Sequence, residues 1–395
     1  MTKILWIAAP AMLFGCGLCA QDIAGDWQAT LKTGPTELRM IVQIAKTDGV
    51  GFNPQAAAFG GIAGTSIIGT WTQGLPLPPE LRRATEETAS PLDGGSPRVE
   101  FVNVEAEVKL EVLDWGGTGR PVVLLAGLGD DAHEFDKFAR KLTPSYHVYG
   151  ITRRGFGASS VPVAGYSADR LGDDVLAVLD ALKLNHPVLV GHSLAGEELS
   201  SVGSRHPDKV AGLIYLDAAY GYAFYDRSRG DLDIDLIALE RKLEQLREKR
   251  PEDTRTLIQE LLATDLPGFE KDLRERQEDL QAMPAVLLAT IEPAPLSSPT
   301  QLVLAGQQKY TNIPVPILAI YALPHDLGPV LSGDTAERSA YEARDEVTTG
   351  TQAKAFEMGV RSARVVRLAH ANHYVFVSNE ADVLREMNAF IGSLP

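Results

Sequence analysis

The chain has 395 residues, enough for one large domain with a smaller appendage or for two modest domains. Its apolar share of 45% and charged share of 23% are those of an ordinary globular protein. A formal net charge of −15 argues against a nucleic-acid binder, which requires a basic face.

The chain opens with a charge at Lys3, an apolar run over 4–18, and small residues at Cys19-Ala20 before polar Gln21-Asp22. That run is short for a membrane span, so residues 1–20 are expected to be a secretory signal, and the mature protein to be periplasmic or secreted. Leu13-Phe14-Gly15-Cys16 offers an alternative, a lipoprotein processing site with an anchor at Cys16. Both cysteines lie inside this segment. Cleavage after Ala20 would leave no thiol, disulfide or Cys metal site, and the fold would rest on core packing alone.

Residues 21–96 are expected to form a small β-rich module and a linker. Thr36-Glu37-Leu38-Arg39-Met40-Ile41-Val42-Gln43-Ile44 has strand composition, and Ile67-Ile68-Gly69-Thr70-Trp71 is a second short strand. Too few strands are visible to close a barrel. Residues 75–95, rich in Pro, Glu and Gly, are taken as the linker. Trp27 and Trp71 could serve a ligand or envelope-binding role, though isolated aromatics are more often core.

From Val99 onward, short apolar runs alternate with helical patterns, the signature of a mostly parallel α/β sheet with helices on both faces. Residues 108–113 alternate like a half-exposed edge strand. Residues 122–126 and 188–190 are continuous apolar runs, as buried central strands should be. Residues 147–151, 212–216, 316–320 and 365–368 fit the same sheet, and 380–391 the last helix. Between them, about 222–305 is charged with apolar residues at helical spacing, and is expected to be a helical lid over the strand C-terminal ends.

The chemistry centres on Gly191-His192-Ser193-Leu194-Ala195-Gly196, which follows a buried strand and starts a helix. Such a sharp turn exposes a strained nucleophile, Ser193, and needs small residues two places before and after it; Gly191 and Ala195 qualify. Two N–H donors should hold the oxyanion: Leu194, next to the nucleophile, and Leu128 in the Gly127-Leu128-Gly129 turn. That turn lacks a third glycine, so no dinucleotide or other cofactor is expected, and no metal-ligand cluster is seen. Glu197 and Glu198 follow on the nucleophile helix and are taken as solvated or structural.

Residues 122–130, Arg153-Arg154-Gly155-Phe156-Gly157-Ala158-Ser159, 191–196 and His370-Ala371-Asn372-His373-Tyr374 together resemble the α/β-hydrolase superfamily, over roughly residue 100 to the C-terminus. The likeness is to the esterase, lactonase and proline-type peptidase branch with a helical lid. The resemblance implies an α/β-hydrolase domain over 97–395 and a triad in the chain order Ser, acid, His. It places the base at His373, with His370 structural, and gives the Arg-Gly-Phe-Gly turn a structural role. His192 is expected to line the helix entrance and His133 to border the pocket, while His147, His186 and His206 are structural. Asp326 is the expected acid; Asp217, at the end of the preceding strand, and Asp334 are its rivals. The reading is a serine hydrolase of carboxylic esters of small or medium-sized substrates. Alternatives are a lactonase, a terminal-residue peptidase, or a ligand-binding member of the fold without turnover.

Overall fold

The computed structural model describes residues 25–33, 36–44, 57–63, 66–73, 75–76, 80–83, 97–248, 250–282, 297–326 and 335–395. The proposed signal and Asp334 lie outside the described residues. The chain divides into two compact units, Met1–Pro91 and Leu92–Pro395.

The first unit holds a six-stranded antiparallel sheet. Its strands are β1 (Gly25–Thr33), β2 (Thr36–Ile44), β3 (Ala57–Ala63), β4 (Ser66–Gln73), β5 (Leu75–Pro76) and β6 (Glu80–Arg83), in the order β2-β1-β6-β4-β3 with β5 beside β4. The span read as linker therefore contains two of these strands. The second of them, β6, is central and pairs with both β1 and β4. Four residues, three of them charged (Glu80-Leu81-Arg82-Arg83), give too short a pattern to be legible as a strand.

The second unit is built on an eight-stranded sheet in the order β14-β13-β12-β11-β9-β10-β8-β7. Its members are β7 (Arg98–Glu105), β8 (Val108–Gly116), β9 (Pro121–Leu125), β10 (His147–Ile151), β11 (Val188–His192), β12 (Gly212–Leu216), β13 (Ile317–Ala322) and β14 (Ala363–Leu368). Strands β9 to β14 run parallel, and β7 and β8 are antiparallel. The 108–113 strand is thus not the edge: β7 covers it, and the alternation read there reflects its polar residues Lys109 and Glu111, of which Glu111 is buried.

Alternation splits the sheet's side chains between two layers. Val123, Leu125, Leu189, Leu213, Tyr215, Ile317 and Ala319 join one core with α2 (Ala168–Ala181) and α3 (Ala195–Arg205). Val122, Leu124, Val188, Val190, Ile214, Leu216, Leu318 and Ile320 join the other, under α1 (Asp136–Leu142). Each such Val or Leu contributes about 1.5–3 kcal/mol by leaving water.

Between β12 and β13 the chain forms α4 (Leu232–Glu248), α5 (Pro251–Glu260), a π-helical turn (Leu261–Asp265), α6 (Leu266–Ala282) and α7 (Pro299–Leu304). Leu239, Leu257 and Leu261 form a small core of their own with Leu246 and Phe269. After β13 come the long helix α8 (Thr335–Gly359), then β14, α9 (Val375–Ser378) and α10 (Glu380–Ser393).

Candidate active site

Ser193 sits between β11 and α3 with a φ of 51°, in the left-handed region that is strained for any residue but glycine. Its N–H donates to Leu216 O at 3.2 Å, and its carbonyl accepts from Gly196 N–H at 3.0 Å. The turn closes only because Gly196 carries no side chain: a Cβ there would lie 2.0 Å from Ala218 O. Leu194 stands at the N-cap of α3, where backbone N–H groups have no intrahelical acceptor. Tyr222 stands near Ser193, and burial pushes its phenol well above its ordinary value, so it stays neutral.

The loop after β9 passes close to this turn. A Cβ on Gly127 would lie 3.3 Å from Ser193 Cβ, so glycine is required for the approach. Leu128 and Leu194 pack into one cluster with Tyr166, Leu171 and Val303, and Tyr222 and Phe156 lean against it. The structure therefore brings together both residues expected to supply oxyanion donors, and surrounds them with apolar side chains.

His373 follows β14 and precedes α9. Its Nδ1 lies 2.6 Å from Asp217 Oδ2. With Asp217 ionised this nitrogen carries the proton, which leaves a lone pair on Nε2. His192, the chain neighbour of Ser193, tilts against His373 at a ring separation of 4.7 Å, and burial lowers its pKa to about 4. His370 lies exposed in the preceding turn, its N–H bonded to Pro324 O at 2.9 Å. His133, half-exposed, bonds to Asp136 at 3.1 Å, and His147 bonds to Asp114 at 2.8 Å.

The carboxylate on His373 is that of Asp217, not of Asp326. Asp217 ends β12, is fully buried, and has a φ of 47°. Its Oδ2 takes His373 Nδ1 and His325 Nε2 (2.8 Å); its Oδ1 accepts from Tyr220 OH at 2.7 Å and Ala322 N–H at 3.0 Å. Burial opposes its charge, yet these partners, the two imidazoles first among them, hold Asp217 well below the ordinary carboxylate range. Asp326 points the other way: its side chain is 44% exposed and meets Arg338 at 3.3 Å. The reason is register. The segments after β13 and β14 continue side by side, with a bridge between His325 and Ala371 and Asp326 N–H on Ala371 O at 2.8 Å. In extended chain successive side chains alternate, so His325 faces in and Asp326 faces out.

Several residues at the site escaped the sequence. Tyr220 and Tyr222 follow the strand that ends in Asp217, a position that could have flagged them. His325, next to Asp326 in the chain, carries no signal of its own in the sequence. Arg153 was given no part in the chemistry, but it is buried and grips the loop behind Leu128: its guanidinium donates to Ala126 O at 3.0 Å and Gly127 O at 3.1 Å. Its Nε pairs with Glu198 on α3. Glu197 and Glu198 are thus buried rather than solvated, and burial pushes Glu197 well above its ordinary value.

A model of the alpha/beta hydrolase family matches residues 122–386. Among curated proteins, the chain is 33% identical over 148 residues to an AB hydrolase superfamily protein, YisY, of Bacillus subtilis, covering 35% of this chain and 54% of that one. It is 30% identical over 111 residues to a putative non-heme haloperoxidase of Mycobacterium phage D29, covering 28% and 40%. Over 101 residues it is 27% identical to a 2-(acetamidomethylene)succinate hydrolase of Mesorhizobium japonicum, covering 26% and 36%. The chain thus spans at most about half the length of these relatives. Among solved structures, an E-2-(acetamidomethylene)succinate hydrolase aligns with a TM-score of 0.47 at 18% identity, covering 75% of this chain and 100% of that one. A thermophilic esterase from Thermogutta terrifontis aligns with a TM-score of 0.46 at 19% identity, covering 74% and 98%.

Proposed function

The chain belongs to the alpha/beta hydrolase family, and from that premise we propose that it is a serine hydrolase cleaving carboxylic esters of small or medium-sized substrates. The observation that carries the reading is the 2.6 Å contact between a fully buried Asp217 carboxylate and His373 Nδ1, in a chain whose Ser193 occupies a left-handed turn. In the proposed reaction Asp217 fixes the His373 tautomer, and His373 Nε2 takes the Ser193 proton as the serine oxygen attacks the carbonyl. The N–H groups of Leu194 and Leu128 receive the oxyanion. His373 returns the proton to the departing alkoxide, and water repeats the sequence on the acyl-enzyme.

Two features favour an uncharged ester over a substrate held by its amine. Leu128 and Leu194 share an apolar cluster with Tyr166, Leu171 and Val303, and Glu197, four residues past the nucleophile, is driven toward its neutral form. Export through the 1–20 segment, with processing after Ala20, is part of the proposal. Among the described residues no helix is long and apolar enough to cross a membrane. The test of the activity is covalent labelling. A fluorophosphonate probe should modify the wild type and leave Ser193→Ala unmodified, with loss of p-nitrophenyl ester turnover in the same variant; labelling of both proteins, or of neither, refutes the reading. Adding lactones and aminoacyl anilides to the ester panel separates the lactonase and peptidase alternatives by their kcat/KM.

A further inference from the structure

Asp217 serves a second histidine. His325 Nε2 lies 2.8 Å from Asp217 Oδ2, and His325 Nδ1 lies 2.8 Å from Asp345 Oδ2 on α8. Asp345 also accepts the His325 backbone N–H at 2.7 Å and the Thr349 hydroxyl at 2.7 Å, so its carboxylate is fixed from two elements. A neutral imidazole has one N–H; the other nitrogen carries a lone pair that would face a carboxylate. With a carboxylate oxygen at each ring nitrogen, the geometry calls for the doubly protonated ring. Although burial opposes the charge, Asp217 and Asp345 raise His325 to about 10.

We propose that His373, Asp217, His325 and Asp345 form one charge chain, in which the His325 cation offsets the carboxylate behind His373 and Asp345 anchors that cation. The pair His325 and Asp345 are positioning residues that set the pH at which the site becomes active; neither is assigned contact with substrate. The inference rests on Ser193, Asp217 and His373 acting as proposed above. An ordinary triad confronts its histidine with a full negative charge. Here that charge is displaced from Asp217 to Asp345, on the far side of a cation whose ring centre is 6.3 Å from that of His373. The imidazolium formed at His373 during reaction is then less favoured, and the acid limb of the activity profile moves to lower pH.

The surroundings leave this chain as the titrating element. Tyr220, Tyr222 and Tyr321 face Asp217, and Tyr341 stands near Asp345; burial raises all four above the ordinary phenol range. His192, against His373, is neutral above about 4. Behind it Glu134 is raised well above its ordinary value, chiefly by burial and the nearby Asp130 carboxylate, and its Oε1 accepts from Gly127 N–H at 3.4 Å; Asp130 accepts from Tyr374 OH at 2.9 Å. Arg338 pairs with Asp326 at 3.3 Å on the outer side of the His325 segment, and Arg367 on β14 pairs with Glu357 at 2.8 Å.

The decisive measurement is the pH dependence of kcat/KM for p-nitrophenyl butyrate hydrolysis by the full chain. His325→Gln removes the cation and should move the acid limb up by roughly one to two pH units, as expected for a unit charge at this separation. Asp345→Asn removes the distal negative charge and should move it down, by about half as much because the charge is farther away. General damage to the site would lower both rates without moving the limbs in opposite directions. Limbs that stay within 0.3 units (about the precision of such a fit), or that shift the same way, overturn the proposal. Should either variant fail to fold, nitrogen-15 imidazole shifts of the wild type decide: both His325 nitrogens protonated at pH 8 is expected, and a neutral tautomer there overturns it. A wild type that escapes fluorophosphonate labelling sinks the hydrolase reading instead. Normal labelling with unmoved limbs sinks this inference alone.

Discussion

Replacing Asp217 by Asn keeps the shape of the side chain and removes its charge. The carboxylate receives four donors, from His373, His325, Tyr220 and the Ala322 N–H, at 2.6 to 3.0 Å. An amide offers only one oxygen to them, so its NH2 must confront at least one N–H or O–H. With an N···O contact of 2.6 Å the charge centres of Asp217 and an imidazolium at His373 lie about 4 Å apart, worth about 4 kcal/mol at an effective dielectric constant of 20. At 1.36 kcal/mol per tenfold, that is about a thousandfold in kcat, and the inverted tautomer should add to it. Asp326→Asn, by contrast, loosens a half-exposed pair worth about 0–1 kcal/mol and should leave kcat/KM within about fivefold. Both variants would be assayed on one p-nitrophenyl ester at saturating and sub-saturating concentration, with circular dichroism confirming the fold. A folded Asp217→Asn within tenfold of wild type, or a larger loss in Asp326→Asn, would refute the assignment of the acid.

Three further outcomes are expected. Because the folded-state pKa of His325 is raised to about 10, its contribution to stability is complete below about pH 6.5 and lost as the pH rises toward 10; thermal melts should fall across that window in wild type and less steeply in His325→Gln. Arg153→Lys keeps the charge but loses the planar fork that reaches two carbonyls and Glu198, so acylation measured in single turnover should slow by about ten- to a hundredfold with KM nearly unchanged; an unaltered acylation rate would show that the loop holds without it. Intact mass of the exported protein should give an N-terminus at Gln21, whereas a lipid-modified Cys16 would replace the proposed processing.

Much of the second unit was legible because its chemistry is periodic. The runs at 122–126, 188–190 and 212–216 are apolar at every position, which only a strand buried on both faces requires, and β9, β11 and β12 are central in the sheet. Ser193 was legible because the strain of its turn demands small residues at fixed offsets. The partner of His373 was not, since its choice depends on which way a side chain faces in a non-repeating segment. Asp326 and His325 differ by one position, and the bridge to Ala371 that turns one in and the other out is a tertiary contact. Arg153 was missed for a related reason: a buried arginine reads in sequence like any surface charge, and only packing shows that its hydrogen bonds end on the loop beside Ser193. The edge strand β7 was obscured by its polar, exposed positions, and β6 by its shortness and charged composition.

Arg153 also couples two parts that the chain order separates by more than sixty residues. One end of its guanidinium holds the turn that carries Leu128, and the other holds Glu198, one helical turn beyond Leu194 on α3. The gap between the Leu128 turn and the start of α3 is therefore bridged by a single planar side chain set into the interior, instead of by two loops finding each other. Under the proposed function, a spacer of that kind tolerates exchange of the apolar side chains around it, and substitutions at Phe156, Leu302 or Leu304 would alter the acyl group admitted while the spacing of Leu128 and Leu194 stays fixed. Selectivity and reactivity would then be separable in this scaffold, one residing in replaceable walls and the other in an ion pair that engineering should leave alone.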